Sequence, residues 1–178
     1  MGGITREHLI TPNEISSLAR EVYIDDSKAT RFIDEAEGLD LRPMLGDELF
    51  IEIMQQNHMQ DFDEYIGRVV NGSTYEYNDK IYVFAGLKKA LAYYTYARLI
   101  VGGDVEVTRS GMRSRDSDYS HQVPMEERQQ VSRECSAIAD YHMNQLLDYI
   151  KRTDALAAYL ERPRRADSQR TKCKIIGD

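Results

Sequence analysis

Apolar residues recur at helical spacing along most of this chain. The stretch "TPNEISSLA" predicts a short helix with Thr11 as N-cap, Pro12 at the first helical position and Glu14 closing a capping box. A second helix is expected from Asp26 or Ser27, with Ala29, Phe32, Ile33 and Ala36 on one face, interrupted at Gly38 and Leu39–Pro43. A third is expected from about Pro43 to Gln56, with Leu45, Leu49 and Ile53 on one stripe beside Phe50 and Met54. A short amphipathic piece follows, carrying Phe62, Ile66, Val69 and Val70.

The period then changes. In "STYEYNDKIYVF" Tyr75 and Tyr77 alternate with polar neighbours, the pattern breaks at Asn78-Asp79, and it resumes through Ile81 and Val83. That predicts a β-hairpin over about 73–84. A lone two-stranded hairpin is marginal in water, so it should lie on a helix or on a neighbouring subunit. The stretch "AGLKKALAYYTYARLIVGG" comes next, a helix with almost no polar face, stopped by Gly102-Gly103. Such a helix must be surrounded. Core is expected on one side, with the hairpin, the last long helix or another subunit covering the rest.

From about 104 to 123 no apolar period is sustained, and this reads as a long loop. Pro124 opens the longest helix, whose apolar stripe runs through Val131, Cys135, Ile138, Ala139, His142, Leu146, Tyr149 and Ile150. "DALAAYL" gives one more short helix, and an extended tail follows. The fold class expected is therefore mainly α: a bundle of two long and several short helices with one inserted hairpin, a long loop and an extended C-terminal tail. Residues 1–160 form the helical domain and 161–178 the tail.

Composition changes this picture in three ways. At 178 residues the chain is long enough for one domain with a real core. Residues 161–174 hold six basic and two acidic side chains, a local +4, which leaves −11 on the rest of a chain whose net charge is −7. An acidic body argues against wrapping nucleic acid, and a basic tail argues for docking elsewhere. Twelve tyrosines against four phenylalanines and no tryptophan suit surfaces that are apolar on one side and wet on the other.

Candidate chemistry changes it little. None of His8, His58, His121 and His142 pairs with another His or a Cys at ligand spacing, and Cys135 and Cys173 form no CxxC. Acidic pairs such as Asp25/Asp26 and Asp61/Asp63 read as helix N-terminal charge. "RSRDSDYS" lacks the glycine and the final glutamate of a calcium loop. The sequence thus assigns no catalytic residue, metal, cofactor or membrane span, and it reads as a non-enzyme made in a cytosol.

The segments "AEGLDLRPMLGDELF", "YEYNDKIYVFAGLKKALAYYTYARLIVGG" and "SDYSHQV" together resemble the head-to-tail connector (adaptor, neck-ring) proteins of tailed phages, those of gut Bacteroidetes and crAss-like phages above all. The resemblance runs from about Ile15 to Leu160. It implies a structural virion protein that assembles as a ring, usually twelvefold, at the neck below the portal. The ring would extend the DNA channel, passing viral DNA without sequence specificity, and present a surface to the next tail component. On that reading the subunit contacts are expected at Tyr75, Tyr77 and Tyr82 of the hairpin and at Thr108, Arg109, Met112 and Tyr119 of the loop. Docking on the portal or tail partner is expected from Arg164, Arg165, Arg170, Lys172, Ile175 and Ile176. The alternative is a small helical nucleic-acid-binding or regulatory module that uses the basic tail as its phosphate arm.

Overall fold

The computed structural model describes residues 7–21, 25–102, 105–108, 111–114 and 123–153, with only the backbone described for 105–108 and 111–114. The first helix, α1 (Pro12–Leu18), carries the expected capping box: Thr11 N–H donates to Glu14 Oε2 at 2.7 Å, and Glu14 N–H reaches back to Thr11 Oγ1. In α2 (Asp26–Ala36) the cap is Asp25, one residue before the expected positions, because its extended backbone lets one carboxylate accept from the N–H groups of Ser27 and Lys28. Ala29, Ile33 and Ala36 form its buried face, and Phe32 packs at the edge.

The expected interruption after Ala36 does not occur. The chain continues through a π-helical turn, Glu37–Leu41, into α3 (Arg42–Leu45). Arg42 N–H reaches five residues back to the Glu37 carbonyl, so the widened turn absorbs the residues around Gly38 and Pro43 that would otherwise end a helix. The true break is Gly46, at φ +80, and α4 (Asp47–Met59) therefore starts later and ends later than the 43–56 expected. Leu49, Phe50 and Ile53 are its buried residues among the apolar set. Then comes α5 (Glu64–Asn71), capped by Asp63 and burying Ile66, Val69 and Val70.

Strands β1 (Ser73–Tyr77) and β2 (Lys80–Phe84) pair antiparallel with Tyr75 opposite Tyr82 and Tyr77 opposite Lys80. Asn78 (φ 51) and Asp79 (φ 57) are both left-handed, the primed two-residue turn that matches strand twist. Helix α6 (Leu87–Gly102) follows directly. It is central: α7 (Met125–Arg152) packs along it most extensively, and α2, α1 and α5 cover the rest. Leu87, Ala90, Leu91, Ala92, Tyr94, Thr95, Ala97 and Leu99 are buried around its circumference. A helix with no polar face is thus enclosed within one chain, and its alanines allow that close approach.

The segment expected as a featureless loop contains a second antiparallel pair, β3 (Val105–Thr108) with β4 (Gly111–Ser114). Its alternation, Val105 and Val107 against Glu106 and Thr108, is only four residues long, too short to register as a period. In α7 the buried line is Cys135, Ala139, Met143, Leu146, Tyr149 and Ile150. The expected helix "DALAAYL" and the tail lie outside the described residues. No helix among the described residues is long and apolar enough to cross a membrane.

Candidate interaction surfaces

The hairpin is two-faced because side chains alternate across a strand. Its inner face carries Tyr75, Tyr77, Tyr82 and Phe84, and all four meet the end of α7. Phe84 stacks on Tyr149 with ring centroids 4.3 Å apart, Tyr75 lies 5.1 Å from Tyr149 and 5.4 Å from Tyr82, and Tyr65 of α5 stacks on Tyr149 at 6.0 Å. The Arg152 guanidinium covers the rings of Tyr77 and Tyr82 at 5.2 and 4.8 Å and donates to the Tyr75 hydroxyl at 3.3 Å. Offset aromatic pairs and a cation over a ring each add about 0.5–1.5 kcal/mol beyond burial, enough together to hold a hairpin that could not stand alone. Burial within this cluster, with Tyr149 beside it, raises the Tyr65 hydroxyl pKa.

The outer face is different. Ile81 is 78% exposed and Val83 66%, beside exposed Thr74 and Glu76. The structure therefore turns Tyr75 and Tyr82 inward and presents the aliphatic pair. The alternation already separates Ile81 and Val83 from the tyrosines, but it does not say which face packs. Thr108 and Met112 fall on β3 and β4, next to each other in register, since Thr108 pairs with Gly111 and Val107 with Met112. Arg109, Tyr119, Arg164, Arg165, Arg170, Lys172, Ile175 and Ile176 lie outside the described residues.

A second apolar surface sits on α4. Ile51 (47% exposed) and Met59 (66%) flank Met54, Gln55 and His58 over a shallow groove of about 500 Å³. The residues i, i+3, i+7 and i+8 from Ile51 share one helix face, so this surface was present in the sequence behind the Leu49–Ile53 stripe.

A third feature is polar. Helices α2 and α7 both lean on α6 and leave a furrow of about 560 Å³ between them, lined by Phe32, Glu35, Asp40, Tyr94, Arg98 and Asp140 among others. Arg98 grips Asp40 with two bonds of 2.8 and 2.9 Å and approaches Glu35 at 3.8 Å. The Tyr94 hydroxyl donates to Asp140, and burial first, then that carboxylate, raises its pKa. On the α7 wall Ser132 Oγ donates to the Ala97 carbonyl at 2.9 Å.

The π turn buries Glu37 completely. Its carboxylate accepts from Leu9 N–H at 2.8 Å and lies 3.0 Å from His8 Nδ1, fastening the segment before α1 to α2. Asp34 completes a trio whose donor atoms fall within 4.8 Å. The sequence hid this group, because His8 and Glu37 are 29 positions apart. One N–H-bearing group of the strap at each Glu37 oxygen accounts for the geometry as a fastening. Cys135 is buried in the core, which raises its thiol pKa, the reverse of what a nucleophile needs.

A family model described as "Family of unknown function (DUF6712)" matches residues 41–167, from the π turn onward. No curated protein and no solved structure matches the chain.

Proposed function

The chain belongs to the family of unknown function DUF6712, and we propose that this member is a structural head-to-tail connector subunit. In that role it forms a ring below the portal of a tailed phage, extends the DNA channel and joins capsid to tail. The sequence resemblance to neck-ring adaptors motivates the reading. The observation that carries it is the hairpin's outer face, where Ile81 and Val83 stand exposed on a support of stacked rings. A head-to-tail ring needs two unlike surfaces on each subunit. The hairpin and the α4 groove of Ile51, Met54 and Met59 supply two apolar ones on different elements. Isolated apolar residues on a surface are ordinary, but neighbouring ones on a rigid element mark contact sites.

Burying Ile81 and Val83 is worth about 3 kcal/mol per contact, roughly 100-fold in association. The test is assembly on the purified portal of the same phage, followed by electron microscopy of rings and by mass measurement. Wild-type chain is expected to decorate portals as rings. Ile81→Asp with Val83→Asp is expected to abolish decoration while the thermal midpoint stays within about 2 °C, since both side chains are exposed. Full decoration by the double variant, or no association of wild-type chain with the portal, would sink the proposal. Salt-sensitive DNA binding in place of portal binding would favour a nucleic-acid module instead.

A further inference from the structure

The two exposed apolar surfaces differ in shape and in charge. The hairpin's outer face is a ridge. Ile81 and Val83 stand about 6.8 Å apart along β2, and exposed Glu76 lies opposite Ile81 in the register. The α4 surface is a groove running from Ile51 to Met59, about 12 Å along the helix axis, with Met54 in its wall and exposed His58 at its rim. A ridge of that length fits within the groove, and unbranched methionines adapt to the β-branched side chains that enter. The rims match as well, because an imidazole N–H can donate to a carboxylate whether or not the ring is protonated. Ridge against ridge would instead bring the two Glu76 carboxylates together across a twofold axis, where like charges repel. Groove against groove would pair two concave faces and leave a void.

We propose that the ridge of one copy seats in the α4 groove of a second copy, with Ile81 and Val83 entering between Ile51, Met54 and Met59, and Glu76 meeting His58. The inference deepens the ring reading and rests on it: each surface has the other, on the next subunit, as its occupant. The ridge does not fill its own chain's groove, since Ile81 and Val83 stand exposed while the stacked rings beneath them hold the hairpin to the end of α7. The contact is heterologous, so closure of the ring leaves neither surface bare. Two aliphatic side chains and one hydrogen bond correspond to a Kd of the order of millimolar, far weaker than an interface of standard size. Free chains at micromolar concentration are then monomers. The contact fills where subunits are gathered side by side, at an effective concentration of the order of millimolar.

The test mixes two full-length variants that can make only one contact between them. The first, Ile81→Asp with Val83→Asp, lacks the ridge and keeps the groove. The second, Ile51→Glu with Met59→Glu, lacks the groove and keeps the ridge. The altered side chains are exposed, so both should keep the wild-type thermal midpoint within a few degrees. With methyl groups of the first labelled, addition of the unlabelled second to about 1 mM is expected to shift the Ile51 and Met54 methyl signals, with a Kd of the order of millimolar. Each variant alone should show no change on dilution from that concentration. Glu76→Lys in the ridge-bearing chain should weaken the contact at least threefold, and His58→Glu in the groove-bearing chain should then restore it. Unmoved groove methyls in the mixture would overturn the inference. So would self-association of either variant alone, or a charge exchange that restores nothing. None of these measurements uses the portal: if they fail while wild-type chain still decorates portals, only this pairing falls, and if they succeed without decoration, only the connector reading does.

Discussion

Replacing Glu37 by Ala removes the fastening of the segment before α1, and the structure sets the cost. Leu9 and Ile10 are each 2% exposed, and the Glu37 carboxylate accepts from Leu9 N–H at 2.8 Å and sits 3.0 Å from His8 Nδ1. If the segment stays in place, Leu9 N–H is left buried without that acceptor, which costs about 1–3 kcal/mol. One buried methylene, Cγ, is also lost, at about 0.8 kcal/mol. Relief of burying a carboxylate offsets part of this. If the segment lets go instead, Leu9 and Ile10 become exposed at about 1.5–3 kcal/mol each. The chain takes the cheaper course, so the expected loss is about 2–4 kcal/mol, or a midpoint lower by roughly 5–15 °C for a domain of this size.

Two measurements check it. Denaturant unfolding gives the loss in stability, and hydrogen exchange of the Leu9 amide reports whether the segment is still held. Glu37→Gln keeps one acceptor oxygen and should cost only about 1 kcal/mol. Asn57, whose side-chain amide donates to the His8 carbonyl at 3.1 Å, remains as a second hold in both variants. A Glu37→Ala chain within 0.5 kcal/mol of wild type, judged against the ~1–3 kcal/mol of an unpaired buried N–H, would refute the reasoning. So would a Glu37→Gln chain less stable than Glu37→Ala.

Three further outcomes follow from other residues. Thr95 is fully buried on α6 and its hydroxyl has no hydrogen-bond partner among the described residues, so Thr95→Val should raise stability by about 0.5–1.5 kcal/mol in the same unfolding assay. Gly86 has φ +82, and a Cβ there would stand 2.2 Å from the Gly72 nitrogen, so Gly86→Ala should cost more than about 3 kcal/mol and weaken the near-ultraviolet signal of the hairpin tyrosines. For Glu14, burial alone would raise the pKa, but the Thr11 N–H and Lys88 outweigh it and hold the carboxyl below its ordinary range. Its contribution is therefore present above that range and lost as pH falls through the lowered value. The stability gap between wild type and Glu14→Gln should be largest at neutral pH and shrink progressively as the pH is lowered through and below the ordinary carboxylate range.

How much of this was legible in the sequence depends on the range of the interaction. The hairpin was readable because alternation and an Asn-Asp turn are local, and α6 was readable as an enclosed helix because it lacks a polar face. The continuity from α2 to α3 was not, since Gly38 and Pro43 carry the local marks of a stop and only the π turn overrides them. The β3–β4 pair was missed because two alternating valines make no period. Glu37 with His8, Asp140 with Tyr94 and Asp40 with Arg98 are 29, 46 and 58 positions apart, and no one-dimensional spacing brings them together. The polar furrow and the fastened N-terminal segment therefore appear only once the helices are packed.

The tyrosines show where composition points to contact without locating it. Their abundance suggests surfaces for other chains, yet Tyr75 and Tyr82 spend their rings on Tyr149, Phe84 and Arg152 of the same chain. That use has its own consequence for binding. A free hairpin would lose conformational entropy on meeting a partner, and association would be weaker by that amount. Stacked on the end of α7, β1 and β2 are already ordered, and Ile81 and Val83 are presented by a support that needs no rearrangement. The polar ends of the tyrosines suit this margin: the Tyr75 hydroxyl takes the Arg152 guanidinium while its ring is packed. Of the aromatic residues that a connector reading assigns to the contact, Tyr75 and Tyr82 pack on their own chain while Tyr77 stays 39% exposed, and Ile81 and Val83 are the more exposed apolar side chains of the hairpin.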